Sequence, residues 1–126
     1  MTVYISHEVR GRDLSNALAF GELEILVPAN IQVATDSDAD AVADMVADRL
    51  EGFSEEDYLL LAGDPVCIGL ACAWAAEYND GRFKVLKWDR LEERYLPIQI
   101  DMWNEERVSN DLLRRSCHRT DESRGR

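Results

Sequence analysis

"DYLLLAGDPVCIGLACAWAAEYNDGRFKVLKWDR", residues 57–90, decides the fold of this chain. Residues 58–63 form a continuous apolar run, the pattern of a strand covered on both faces. Gly63-Asp64-Pro65 then breaks the run, and the next apolar stretch is long enough for a helix over 65–79, ended by Asn79-Asp80-Gly81. "RFKVLKW" (82–88) returns to a strand pattern. Strand, helix and strand joined this tightly predict a βαβ unit over 58–88, with parallel strands and a right-handed crossover.

The Gly-Asp-Pro turn sits where many α/β proteins hold a phosphate on free backbone N–H groups. Its residues oppose that use. Asp64 places a carboxylate where the anion would sit, and Pro65 removes one donor. No glycine series follows, as a phosphate loop requires. Asp before Pro is ordinary helix-capping chemistry, so the turn is expected to start a helix. The helix itself, Cys67 to Ala76, has scarcely any polar side chain before Glu77. A helix apolar all round is buried all round, which predicts cover from the sheet on one side and from a neighbouring helix or a second copy of the chain on the other.

Working outward, "TVYISH" (2–7) and "ELEILVP" (22–28) read as strands, with a short helical turn from Asp13 or Ser15 to Phe20 between them and a stop at Gly21. Residues 29–36 read as loop, with a brief extended piece at 31–33. An amphipathic helix is expected over about 37–52, capped by Ser37 or Asp38, with Val42, Met45, Val46, Leu50 and Phe53 on one face. "YLPIQIDM" (95–102) is expected to pair antiparallel to 82–88. The fold class is therefore α/β: one mixed sheet of four or five strands with helices packed on it. The α/β domain is assigned to 1–103, and 104–126 to an extension with a short helix ending at Leu112 and Leu113, then a mobile tail rich in Arg.

Composition limits function. The chain has 126 residues, 46% hydrophobic, and a formal charge of −11. No apolar run approaches the roughly 20 residues of a membrane span. The opening Met1-Thr2-Val3-Tyr4 has neither the basic nor the apolar region of a signal peptide. Residues 114–126 hold five Arg against Asp121 and Glu122, a net of +3, so residues 1–113 carry −14. Such a body repels nucleic acid, whose binding depends on Lys and Arg neutralising phosphates. Cys67 and Cys72 lie in the apolar helix at a spacing that suits neither zinc nor a redox pair, and Cys117-His118 alone is weak evidence for metal. No metal and no cofactor are expected. Asp-rich, Lys-poor composition also has a plain origin in salt adaptation or a high-GC genome.

Two groups of residues carry candidate chemistry. His7 lies at the carboxyl end of the first strand, with Glu8, Arg10 and Arg12 beyond it, and Asp64 lies at the carboxyl end of another. Ligands of open α/β sheets bind at that edge. If the two strands are neighbours, His7, Arg10, Arg12 and Asp64 converge on a small anionic ligand or nucleotide, with Arg as the clamp. The second group is the polar face of the 37–52 helix: Asp40, Asp44, Asp48 and Glu51. Residues 36–57 hold nine acidic residues and one Arg, and the three aspartates rise roughly 6 Å apart along the axis. Such a ridge suits a partner with a basic surface. The plain alternatives are a solvated, salt-bridged loop and a solvated helix face.

The 57–90 stretch, "YLPIQIDM" and the opening "HEVRGRDLSNALAFGELEILVP" together resemble small proteins encoded by tailed phages, particularly those of marine bacteria, over about 1–102. Such a family brings no catalytic residues with it. It implies a phage gene product in the cytoplasm of the infected cell or, less often, a minor component of the virion. The leading expectation is thus a non-enzymatic accessory protein that binds a host or phage protein through Asp40, Asp44, Asp48 and Glu51, with dimerisation through the 65–79 helix. The alternative is a ligand-binding protein or enzyme using His7, Arg10, Arg12 and Asp64. A pocket that gathers those four side chains favours the alternative; a coherent negative surface without such a pocket favours the first.

Overall fold

Five strands build one sheet: β1 (Thr2–Ile5), β2 (Glu22–Ile25), β3 (Tyr58–Leu60), β4 (Arg82–Asp89) and β5 (Arg94–Asp101), in the order β2-β1-β3-β4-β5. The computed structural model describes residues 1–103. The expected terminal helix at Leu112 and Leu113 and the Arg tail lie outside the described residues. β1, β2, β3 and β4 are mutually parallel, and β5 returns antiparallel beside β4, from Arg82 opposite Asp101 to Asp89 opposite Arg94. The 58–88 unit is present as read, with β3 directly bonded to β4.

Alternation of side chains divides the core between two faces. Leu59, Phe83 and Val85 meet α1 (Asp36–Arg49) and α2 (Pro65–Tyr78) on one side. Val3, Ile5, Leu60 and Leu86 meet Ala17 and Phe20 of the 3₁₀ turn Ser15–Phe20 on the other. α1 buries Val42 and Val46, and Leu50 and Phe53 just beyond it, as its spacing requires. Its cap is Thr35, one turn ahead of Asp38. Thr35 Oγ1 accepts from the Asp38 N–H at 3.1 Å, and Asp38 Oδ2 accepts from the Thr35 N–H at 3.1 Å and the Ala34 N–H at 2.9 Å. Ser37 and Asp38 were the expected caps; Asp38 instead closes a reciprocal capping box from the third helical position. The Ala34 N–H, ahead of those of Thr35, holds the Asp38 carboxyl below its ordinary range.

α2 starts as expected. Asp64 Oδ1 accepts from the Val66 N–H at 2.8 Å, and Pro65 takes the first helical position. Tyr78 Oη donates to the Ala47 carbonyl at 2.7 Å and ties α2 to α1. Within one chain the expected burial is met on two sides. Cys67, Ala71, Ala75 and Ala76 are buried, whereas Val66, Gly69 and Ala73 stand exposed. Two neighbours, sheet and α1, cover two sides of a helix, and the apolar third side faces outward. The expected extended piece at 31–33 is not a strand.

Candidate functional site

β1 and β3 are shorter than their apolar runs suggest, because side chains continue the pairing where the ladder stops. Ser6 N–H donates to the Leu60 carbonyl. Ser6 Oγ then donates to the Ala62 carbonyl at 2.6 Å and accepts from the Ala62 N–H at 2.9 Å. One residue on, His7 Nδ1 accepts from the Asp64 N–H at 3.0 Å. "SH" after β1 and "AGD" after β3 are thus stitched together, which satisfies backbone groups that the end of a buried strand would otherwise orphan. Gly63 makes this fit. Its φ is +86°, and a Cβ there would lie 2.4 Å from His7 Cβ and 2.6 Å from Nδ1.

This junction has a special place in the topology. From β1 the chain moves to β2 on one flank; from β3 it moves through α2 to β4 on the other. The connections therefore diverge between β1 and β3, and a crevice opens at their carboxyl ends. It is a cleft of about 470 Å³. The segment after β1 contributes His7, Glu8, Val9 and Arg10. Ala29, Asn30 and Gln32 come from the loop after β2, and Gly63 and Asp64 from the turn into α2.

The structure brings together His7, Arg10 and Asp64, and the condition that their strands be neighbours is met. Arg12 does not line the cleft; it is exposed, and its N–H donates to the Val9 carbonyl within the loop. Glu8, Asn30 and Gln32 do line it. Glu8 Oε1 accepts from the Ala29 N–H at 3.0 Å, which fastens the loop after β2 to the end of β1. His7 is only 9% exposed, and its buried Nε2 has no hydrogen-bond partner among the described residues. With Nδ1 accepting, the neutral ring carries its proton on Nε2, so the orphan is a donor. Cys67, one turn into α2, is no nucleophile in this state: burial, and then the Asp64 carboxylate, push its thiol pKa up. No three His, Cys, Asp or Glu side chains converge as a metal site among the described residues.

The other candidate group is also in place. Asp40, Asp44, Asp48 and Glu51 are all exposed along and just past α1. Among the described residues, one ion pair forms, Arg82 with Glu55, and it leaves the ridge unneutralised. Arg49, the one cation of α1, instead donates to the Leu26 carbonyl at 2.8 Å. A third surface lies where β5 ends. Trp103 rests on Gly81, whose φ is +79° and whose added Cβ would lie 2.7 Å from the indole. An apolar groove of about 340 Å³ separates Met102 and Trp103 from Cys72, Ala73 and Ala76 of α2.

No curated protein and no solved structure matches this chain. A family profile described as Phage Pam3 gp32-like protein matches residues 1–102, which takes in the whole sheet, both helices and every residue of the cleft. The chain belongs to the Phage Pam3 gp32-like protein family.

Proposed function

We propose that this phage protein is an accessory factor that binds a small polar ligand in the cleft between the carboxyl ends of β1 and β3. The observation that carries this is the cleft at the topological switch point, where neighbouring strands deliver His7, Arg10 and Asp64 to one edge. Three of the four residues expected at this edge line one cleft, and its volume lies in the range of small-molecule sites. Binding is tested by ligand-observed NMR of the full chain against a metabolite set, with Gln32→Ala and Arg10→Ala variants alongside. Ligands that lose affinity in both variants support the cleft. Ligands indifferent to both, or none at all, overturn it.

A second reading is favoured by the ridge on α1, which no cation among the described residues pairs. There the protein presents Asp40, Asp44, Asp48 and Glu51 to a host or phage protein with a basic surface, in the cytoplasm of the infected cell or, in a third reading, within the virion. Steered association of this kind weakens steeply with salt. A pull-down with wild type and with Asp40→Asn/Asp44→Asn/Asp48→Asn tests it: a partner captured by both proteins equally is not held by the ridge. Dimerisation across the outer face of α2 belongs to the same proposal, supported by the exposed Val66, Gly69 and Ala73. A monomeric mass by light scattering overturns it.

A further inference from the structure

Resting on the assignment of the cleft as a ligand site, we infer that its ligand is a small zwitterion, of the free amino-acid type, rather than a phosphate or nucleotide. The inference comes from the fixed charges. Glu8 and Asp64 each lock one carboxylate oxygen onto a backbone N–H, of Ala29 and Val66 respectively. These bonds hold the two carboxylates in place at the cleft and leave Glu8 Oε2 and Asp64 Oδ2 without a hydrogen bond from the described residues. Among the described residues, Arg10 is the single cation lining the cleft. The formal balance is therefore two negative charges against one positive.

A phosphate placed here would meet one guanidinium and two carboxylates. The usual remedy, a helix N-terminus, is largely taken up, with only the Cys67 N–H of the first turn left without a bond among the described residues. Asp64 caps α2 and already engages the Val66 N–H, Pro65 has no N–H, and the Ile68 N–H donates to the Asp64 carbonyl. Opposed charges in one cleft suit a molecule that also carries both. Its carboxylate meets Arg10, and its ammonium meets the free oxygens of Glu8 and Asp64. The amides of Asn30 and Gln32 can donate or accept, and so serve a side chain of either kind. The earlier expectation of an anionic ligand counted Arg10 and Arg12; with Arg12 outside the cleft and Glu8 within it, the balance changes sign.

The test uses the full chain and variants that keep the fold. Asp64→Asn retains a good helix cap, and Glu8→Gln retains an acceptor for the Ala29 N–H, while each removes a charge. Free amino acids are titrated one at a time, then inorganic phosphate, then AMP, with the ring resonances of His7 as the readout. The expected result is that at least one amino acid moves those resonances while phosphate and AMP do not. Glu8→Gln and Asp64→Asn each weaken that amino acid roughly tenfold or more, the scale of a lost charged hydrogen bond. If phosphate or AMP moves the His7 resonances and no amino acid does, the zwitterion is refuted and the cleft stands. If no probe moves them, both fall.

Discussion

Replacing Gly63 by alanine puts the stitched junction between β1 and β3 to a quantitative test. At φ +86° an L-residue carries a backbone penalty of about 1–2 kcal/mol. Gly52 provides the calibration: its φ is +93°, it lies in the turn after α1, and a Cβ there meets nothing within 4 Å. Gly52→Ala should therefore show the backbone penalty alone. Gly63→Ala adds a contact of 2.4 Å with His7 Cβ, the root of a side chain and not a flexible end. His7 must move, and the Asp64 N–H loses its acceptor, a further ~1–3 kcal/mol for a buried donor. The expected total is roughly 2–5 kcal/mol, read from urea midpoints at unchanged m-value. His7→Gly removes both ring and Cβ, so in that background Gly63→Ala should fall to the level of Gly52→Ala. His7→Ala, which keeps the Cβ, should relieve the contact only in part. Equal losses for Gly63→Ala and Gly52→Ala in the wild-type background would refute the close approach of Gly63 to His7.

The other expectations concern separate parts of the fold. Asp57, 8% exposed, accepts from the Thr2 N–H at 3.0 Å and from the N–H and Oγ of Ser54 at 2.9 and 3.3 Å, so Asp57→Ala should destabilise by roughly 2–4 kcal/mol through stranded donors, measured by chemical denaturation. The Asp38 carboxyl is held below its ordinary value of 3.8, so its stabilisation of α1 is fully present above that value and disappears as pH falls through the folded-state pKa. The stability difference between wild type and Asp38→Ala should accordingly shrink from neutral pH to about pH 3; a gap that widens on acidification reverses the sign and defeats the capping-box account. Asp40→Asn/Asp44→Asn/Asp48→Asn removes three like-charge pairs spaced four apart (36/40, 40/44 and 44/48), and at low salt should raise stability by roughly 0.6–1.5 kcal/mol, a gain that added salt erases. Cys67, fully buried with its thiol pKa raised, should resist alkylation until the protein unfolds; labelling at the rate of a free thiol in the native state would contradict its placement.

Elements with local signatures were legible in the sequence, and their misreadings are local too. The apolar runs and the Asp-Pro start marked β3, α2 and β4 without help from elsewhere. α1 declared itself through Val42, Val46 and Leu50. Its first residue did not, because Thr35, Ser37 and Asp38 are all capping-competent; only the hydrogen bond from Thr35 N–H back to Asp38 decides among them. The length of β1 was overread for a related reason. Ser6 and His7 continue its pairing with β3 through side chains, and a pattern of residue types does not separate that from a ladder. In α2 an all-apolar composition does not separate cover by the same chain from cover by a second one: among the described residues the sheet and α1 leave Val66 and Ala73 open.

The cleft depended on something no local pattern contains, the adjacency of β1 and β3 across more than fifty residues. Once that pairing exists, the direction of both strands brings His7 and Asp64 to the same edge. Arg12 fails to join them because the loop folds back on itself, with the Arg12 N–H on the Val9 carbonyl. Asn30 and Gln32 join instead because β2 is also parallel to β1 and delivers its own carboxyl end to the same side. Glu8 then ties that loop down at Ala29, so the residue that orders the cleft also makes it acidic. Structure and charge are coupled in this one side chain. Glu8→Gln separates them, since the acceptor for the Ala29 N–H survives and the charge does not. Unchanged stability with an altered choice of ligand would assign Glu8 to recognition; lost stability would assign its charge to holding the loop.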